Sequence, residues 1–250
     1  MPIAPIFHQM WKSKDIPEPF KEAQSAVQEL CKTHSWEYRF WVESEWCDLL
    51  DSQYAFLRKT YEKLNPIQKV HLAKYMILYH FGGAYVDLDC TPTSQLNVWM
   101  TSPSDLILAR DQHGYACNVF MARPNHVFFK HLLRDIIAFK YNNVLQIFRH
   151  YEIMAKSGKL AFQARAETTD KSTGVHVQSH EIPLVSKVAH NVPSTWREWD
   201  SDVYEYLEYA WQHRDKIMLV SGVVLALVVL ILIAVVFSRL SAKKSITSIV

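Results

Sequence analysis

The sequence has few of the residues that mark small stapled, fibrous or disordered proteins. Its 250 residues include only 6 glycines, 10 prolines and 4 cysteines, and no two cysteines form a Cys-x-x-Cys pair. That spacing argues against a zinc knuckle and against a dense disulfide framework. With 49% hydrophobic residues, the composition also excludes a disordered or collagen-like chain and fits one folded domain with an appendage.

An excess of charge of one sign is also missing, since 27 basic residues are balanced by 25 acidic ones. Domains that bind nucleic acid carry a basic patch that neutralises phosphates, so no nucleic-acid partner is expected. The amino terminus, MPIAPIFHQMWK, lacks the basic start and the long apolar core of a secretory signal peptide.

One long stretch contains no charge at all: residues 217–237. At about 1.5 Å per residue, a helix of this length spans the roughly 30 Å hydrocarbon core of a bilayer. The sequence therefore predicts a single-pass membrane anchor at the C-terminal end. It predicts a catalytic domain over 1–200, a juxtamembrane segment over 201–216, the transmembrane helix over 217–237 and a short basic tail over 238–250.

Two signals disagree about the side of the membrane on which the domain lies. The tail carries Arg239, Lys243 and Lys244 without an acidic residue, which favours a cytoplasmic C-terminus and a lumenal domain. The missing signal peptide favours a cytosolic domain that is made first and anchored last. The expectation is an endomembrane location with the orientation left open.

Before the anchor, short apolar strands alternate with helical patterns, which is typical of an α/β fold with a largely parallel sheet. The predicted strands are residues 5–8, 38–42, 84–87, 105–109 and 117–122, and the predicted helices are 20–34, 45–51, 53–63, 66–80 and 125–139. Asn65-Pro66 is a typical helix start and Gly82-Gly83 a typical stop. Residues 157–191 are interpreted as strand and loop without defined boundaries.

Two carboxylates, Asp87 and Asp89, follow the strand that begins after the two glycines. In open α/β sheets, ligands bind beyond the carboxyl ends of the strands. Carboxylate oxygens there suit a hard divalent cation, which can bridge to phosphate oxygens. An isolated Asp-x-Asp pair remains a weak signal, because such pairs are frequent on solvated turns.

A phosphatase is one alternative for the same residues. The run from Asp87 to Thr91 resembles the DxDxT start of haloacid-dehalogenase-type phosphatases, whose first carboxylate is a nucleophile. That motif normally follows a longer apolar strand near the chain start, whereas only three residues separate it here from the Gly-Gly break. Hydrolysis of simple phosphate esters without any nucleotide-sugar would identify this activity.

Several motifs in one order resemble the glycosyltransferases that contain the DXD sugar-binding region, a family that includes mannosyl-inositol-phosphorylceramide synthases and initiating α-1,6-mannosyltransferases. The resemblance covers roughly residues 3 to 200. The first motif is the opening PIFHQMWK at 5–12. The central motif is a helix and strand that contain Lys74, Tyr75, Gly82-Gly83 and Tyr85 and end at Asp87 and Asp89. Three further motifs follow in order: Asn118 to His126, Ser172 to Gly174, and His190 with Ser194, Thr195 and Trp196.

This resemblance implies a GT-A fold, with a Rossmann-like mixed sheet flanked by helices, and sugar transfer from a nucleotide-sugar donor with Mn²⁺ or Mg²⁺. It implies that Asp89 holds the metal directly, that Asp87 contacts the ribose and the metal shell, and that His190 is a further metal ligand. The candidate donor-binding residues are Trp11, His71, Lys74, Tyr85, Asn118, Ser194 and Trp196. Among them, Trp11 is expected to stack on the base, and Tyr85, Ser194 and Trp196 are expected to reach the diphosphate.

Each assignment has a purely structural alternative. Trp11 and Tyr85 lie in apolar company, where packing into a core is the commoner role of an aromatic side chain. An isolated histidine such as His190 is most often a surface residue. The metal and donor roles therefore depend on these residues converging in the folded chain.

Two residues depart from the family pattern on the helix before the glycines. His71 replaces an aspartate that accepts hydrogen bonds from the donor sugar, and a neutral histidine offers only one acceptor nitrogen. Lys74 replaces an arginine and keeps its charge but not its planar fork. The resulting hypothesis is a membrane-anchored retaining mannosyltransferase that uses GDP-mannose and inositol-phosphorylceramide, with a glycan as the other acceptor. The alternative is a membrane-anchored scaffold on a catalytically weakened fold.

Overall fold

The computed structural model describes residues 3–112, 114–140, 149–171, 174–181, 183–187, 201–202, 206, 209–210 and 213–215. The chain divides into two units, Met1–Glu198 and Trp199–Val250. Of the second unit, the described residues are mostly helical, and the His213 amide donates to the Tyr209 carbonyl over 3.0 Å. No helix among the residues described in either unit is long and apolar enough to cross a membrane. The predicted anchor at 217–237 lies outside the described residues.

Eight strands and eight α-helices make up the described part of the first unit. The strands are β1 (Ile6–Met10), β2 (Glu37–Trp41), β3 (Gly83–Val86), β4 (Cys90–Pro92), β5 (Leu106–Asp111), β6 (Gly114–Ala122), β7 (Val175–Gln178) and β8 (Val185–Lys187). The helices are α1 (Glu18–His34), α2 (Glu43–Gln53), α3 (Arg58–Glu62, after a 3₁₀ turn at Ala55–Leu57), α4 (Pro66–Phe81), α5 (Ser94–Met100), α6 (Val127–Ala138), α7 (Arg149–Lys156) and α8 (Lys159–Thr168).

Six strands form one mixed sheet in the order β2-β1-β3-β6-β5-β7. Strands β1, β2, β3, β5 and β7 run in one direction, and β6 is antiparallel to both of its neighbours. The prediction of a mixed α/β sheet with mostly parallel strands is therefore confirmed. The carboxyl ends of β1, β3, β5 and β7 meet at one edge, where ligands bind in open α/β sheets.

Helices cover both faces of this sheet. One face, with Tyr85, Leu108 and Phe120, packs against α2, α4, α6 and α8, and we call it the α4 face. The other face packs Val86 and Ile107 against α1 and α5. Apolar side chains lie on both faces of the central strands because neither face is exposed to water.

The boundaries of α4 follow the sequence signals closely. The Asn65 side chain accepts a hydrogen bond from the Gln68 amide, and the Gln68 side chain accepts one from the Asn65 amide. This capping box and Pro66 at the first helical position begin the helix, and Gly82 ends it. Nine residues of α4 are buried, so the helix lies inside the fold and can present a side chain to the strand edge from within.

The interpretation of residues 157–191 as strand and loop was wrong over Lys159–Thr168, which form α8. Only Phe162 and Ala166 of this helix are buried, whereas its other apolar residues, Leu160, Ala161 and Ala164, are not. Its apolar residues therefore lack the one-sided periodicity by which a helix is identified from sequence. Helix α5 and the small sheet of β4 and β8 were also absent from the prediction.

We expect Gly83→Ala to lower the free energy of unfolding by about 3 kcal/mol, measured by denaturant titration. Gly83 has φ +91°, and a Cβ at this position would overlap the Ile6 carbonyl oxygen. The β1–β3 pairing that carries the acidic residues would have to open. Gly158→Ala is the control: its φ of −86° is open to alanine, and a Cβ there would meet Met154 Cα at 3.0 Å, so a smaller loss is expected. If Gly83→Ala lowers the free energy of unfolding no more than Gly158→Ala does, the close approach of β1 and β3 at Gly83 is contradicted.

Candidate active site

The predicted acidic pair lies at the carboxyl edge of the sheet. Asp87 follows β3 directly, and its amide donates to the Asn118 carbonyl of β6 over 2.8 Å. Strand β1 pairs with β3 in a register that aligns His8 with Tyr85. Trp11 follows β1 and therefore lies at the same carboxyl edge, and Asn118 lies beside Asp87 on β6.

Asp87 is held from two directions. The Tyr85 hydroxyl donates to Asp87 Oδ1 over 2.7 Å, and the Lys74 ammonium lies 3.5 Å from the same oxygen. Both partners favour the ionised carboxylate, one by hydrogen bonding and one by charge. Asp87 thus enters the site as an oriented anion.

Lys74 is almost completely buried, with 2% of its side chain exposed. Its ammonium donates to the Cys117 carbonyl over 2.6 Å and lies 5.2 Å from the ring centre of Tyr85. Burying a cation costs free energy unless hydrogen bonds and a counter-charge replace its lost hydration. The Cys117 carbonyl, the Asp87 carboxylate and the aromatic faces supply both, so α4 carries a positive charge directly beneath the acidic pair.

Asp89 is half-buried and makes one described contact, from the Cys90 thiol to Oδ1 over 3.4 Å. Asn118 lies next to it, donating from its side-chain nitrogen to Cys90 Sγ over 3.3 Å. The Asn118 side-chain oxygen is buried and has no hydrogen-bond partner among the described residues. A buried oxygen that accepts no hydrogen bond is unfavourable unless a ligand supplies the missing partner.

These oxygens fit a hard cation. Carboxylates of Asp87 and Asp89 and an amide oxygen of Asn118 are the donor types that Mg²⁺ and Mn²⁺ prefer. The described residues contain no group of three or more His, Cys, Asp or Glu side chains that could hold a metal by themselves. His190, the third predicted ligand, lies outside the described residues, as do the predicted donor-binding Ser194 and Trp196.

Trp11 is placed at the same edge, just after β1. Its ring meets Phe20 edge to face at 5.5 Å, and its indole nitrogen is buried without a partner in the described part of the chain. The ring is partly exposed, so packing does not cover it entirely. An indole face at the strand edge is compatible with the predicted stacking on a base, which stays a prediction.

His71 lies one turn before Lys74 on α4 and is buried. Its Nδ1 is 3.1 Å from the Ser157 hydroxyl. The Ser157 carbonyl oxygen also accepts a hydrogen bond from the Tyr75 hydroxyl over 2.9 Å. Burial, and then the nearby Lys74 charge, hold the pKa of His71 well below its usual value. His71 is therefore neutral. The Ser157 partner could not be inferred from the sequence, because it lies 86 residues away.

Tyr85 makes a contact inside the site in addition to its predicted one with the diphosphate. Its ring is buried and stacks on Phe120 at 5.2 Å, and its hydroxyl proton is directed at Asp87. Burial, and then the Asp87 charge, raise the pKa of Tyr85 well above its usual value, so the hydroxyl keeps that proton. In this structure Tyr85 positions Asp87, and a contact with a donor stays a prediction.

The site rests on a second buried network, centred on His8 in β1. His8 Nδ1 accepts from the Trp41 indole over 3.1 Å, and its Nε2 donates to the Gly82 carbonyl over 2.9 Å. The two bonds fix the neutral form with the proton on Nε2. They tie the helix stop before β3 to β1 and β2.

We expect acid to destabilise the fold through His8. Burial lowers its pKa to about 4 in the folded chain, from 6.5, so the unfolded chain binds more protons between these values. Stability is complete above pH 6.5 and falls as the pH drops toward 4, by about 2 kcal/mol between pH 7.5 and 5 for this residue. Denaturant titrations at both pH values measure it. The loss of stability between these two pH values should be smaller in His8→Gln than in the wild-type chain. A loss of the same size in that variant would contradict the assignment of the pH dependence to His8.

Comparison with known proteins finds the family that the sequence motifs resemble. Residues 17–105 match the family described as "Glycosyltransferase sugar-binding region containing DXD motif", which confirms the resemblance predicted from the sequence. The chain is 25% identical over 138 residues to inositol phosphoceramide mannosyltransferase 1 of Schizosaccharomyces pombe, covering 54% of this chain and 43% of that protein. It is 27% identical over 159 residues to mannosyl phosphorylinositol ceramide synthase SUR1 of Saccharomyces cerevisiae, covering 63% of this chain and 40% of that protein.

The chain thus spans less than half the length of these two relatives. Among solved structures, a glycosyltransferase involved in glycosylation of the major capsid of PBCV-1 is similar, with a TM-score of 0.45 and 9% identity. That similarity covers 82% of this chain and 98% of the other.

Proposed function

Since residues 17–105 carry the glycosyltransferase sugar-binding region containing the DXD motif, we propose that the chain transfers a hexose from a nucleotide-sugar to a membrane-associated acceptor. The observation that carries the proposal is the convergence of Asp87 and Asp89 with the buried Lys74 at the carboxyl edge of the sheet. Oriented carboxylates at this edge are a site for a metal–diphosphate complex. The proposed architecture is of the GT-A type.

The residues divide into holding and positioning roles. Asp89, with the Asn118 amide oxygen, would hold a divalent cation, and Asp87 would complete its shell or contact the ribose. Lys74 and Tyr85 orient Asp87 from below. When bound, the cation supplies neutralisation of the charge that develops on the leaving diphosphate.

The neutral His71 would limit how this site reads the donor sugar. A neutral imidazole with Nδ1 beside the Ser157 hydroxyl leaves one ring nitrogen for any other partner. A carboxylate at this position could accept several hydrogen bonds. The sugar hydroxyls would therefore depend more on backbone groups for their partners.

The specific donor and acceptor come from the relatives, whose names place a mannose on inositol phosphoceramide. GDP-mannose and a sphingolipid headgroup are the pair we propose for this chain. The uncharged run at 217–237 would hold the domain at a bilayer surface, where such an acceptor is presented. We therefore place the protein in an endomembrane with its transferase domain tethered at the surface.

A donor panel tests this function. The purified full chain is incubated with GDP- and UDP-sugars, with and without Mn²⁺, and released nucleoside diphosphate is measured. We expect metal-dependent release from GDP-mannose above all other donors. Silence with every donor would be followed by His71→Asp with Lys74→Arg. Activity gained in that variant would show a degenerate donor site, and continued silence would favour the scaffold alternative.

A further inference from the structure

A second concave site lies beside the acidic pair. It is a cavity of about 580 Å³, within the range of small-molecule sites. Its walls come from the β5–β6 hairpin, the end of β7 and the residues that follow α8. The lining residues that matter here are Arg110, Tyr115, Lys171, Val177, Ser179 and His180.

This cavity and Asp87 share one edge and one face of the sheet. Arg110 and Tyr115 are paired across β5 and β6 beyond the level of Asn118, at the edge where β3 ends. Tyr115 and Val177 belong to the α4 face, on which Tyr85 also lies. Along β6, Tyr115 is two residues from Cys117, whose carbonyl binds Lys74, a step of about 7 Å.

The cavity has a surplus of positive charge. The Arg110 guanidinium lies 5.1 Å and the Lys171 ammonium 5.3 Å from the ring centre of the buried Tyr115. Neither cation forms an ion pair with a carboxylate in the described part of the chain. The acidic side chain of the lining, Asp111, is bound by Lys159 over 2.7 and 2.8 Å.

The lining also carries donors suited to an oxyanion. Ser179 contributes a hydroxyl and His180 an imidazole, both on exposed side chains. Cation–π contacts with one aromatic ring fix the positions of the arginine and lysine side chains, and their remaining N–H groups can donate to an anion. Tyr115 and Val177 supply an apolar floor against which a ring could lie. One phosphate with an attached polyol ring matches this mixture in charge and in size.

We propose that this cavity binds the phosphodiester of the acceptor headgroup, with Arg110 and Lys171 as its cationic contacts. The assignment rests on the transferase function proposed above. In the proposed function the donor diphosphate binds near Asp89, two strands away in the sheet. The cavity is therefore available for the acceptor. Seating the phosphate on β5 and β7 would present the attached polyol toward the donor site on the same face.

Binding to the full chain in detergent tests this assignment by ligand-observed NMR. The probes are glycerophospho-myo-inositol, which has a phosphodiester, and the controls myo-inositol and inorganic phosphate. We expect Arg110→Gln with Lys171→Gln to weaken binding of the diester roughly tenfold or more. The matched control, Lys59→Gln with Lys63→Gln, removes two positive charges from the exposed surface around α3 and should change the affinity by less than about twofold.

Three results would overturn the proposal: equal affinity in the double variant, equal binding of myo-inositol, or inorganic phosphate binding as tightly as the diester. The last would define a general anion site and not an acceptor site. Binding of GDP with Mn²⁺ is measured in the same samples. GDP binding without diester binding would reject the cavity alone, whereas diester binding without GDP binding would reject the transferase and keep the phosphodiester site.

Discussion

Asp89→Asn should leave the fold intact and remove the chemistry. The side chain is half-buried, and its described contact is a weak one from a thiol, so asparagine costs the free energy of unfolding less than about 1 kcal/mol. In the proposed site, loss of its charge removes an oxygen ligand of the cation that faces the diphosphate. We expect release of nucleoside diphosphate to fall by roughly 10²–10³-fold.

Two measurements separate this effect from unfolding. Denaturant titration should give nearly the wild-type midpoint, and the affinity for Mn²⁺ with GDP should fall at least about tenfold. Asp48→Asn, an exposed carboxylate on α2, is the matched control and should retain wild-type release. Equal release in the Asp89 variant would remove Asp89 from the metal site.

Lys74→Met should lower stability and abolish activity. It removes a buried cation, its hydrogen bond to the Cys117 carbonyl and its positive charge beside Asp87. Removing one member of a buried ion pair lowers the free energy of unfolding by about 3 kcal/mol. The loss is smaller here because Asp87 is about one-third exposed. Sugar transfer should fall below detection, since Asp87 loses its orientation.

A second substitution tells structure from function. In Lys74→Met with Asp87→Asn both charges are gone, so much of the lost free energy of unfolding should return while transfer stays absent. Lys74→Arg keeps the charge and should retain partial activity. If the double variant is no more stable than Lys74→Met, the 3.5 Å contact contributes little and the carbonyl bond is the dominant interaction.

The sequence predicted the scaffold of the site well because its signals are local. Asn65-Pro66 and Gly82-Gly83 bound α4 and β3 through capping and through left-handed backbone, which depend on a few neighbouring residues. Asp87 then falls at a strand end whatever the rest of the chain does. Those features place a charged helix residue and an acidic pair near each other before any tertiary contact is known.

The contacts that define the site could not be predicted in this way. The sequence did not indicate that the Tyr85 ring packs on Phe120 or that its hydroxyl donates to Asp87. His71 depends on Ser157, brought close only when α7 ends beside α4. The cavity of Arg110 and Lys171 joins β5 to the segment after α8, a helix whose weak apolar pattern concealed it.

Transfer to the lipid tests the central proposal most directly. The full chain in detergent is given isotopically labelled GDP-mannose, Mn²⁺ and inositol-phosphorylceramide, and the lipid product is identified by mass spectrometry beside Asp89→Asn. We expect one labelled hexose added to the lipid by the wild-type chain and none by the variant. Equal labelling by both, or GDP binding by the wild-type chain without any labelled lipid, would contradict it.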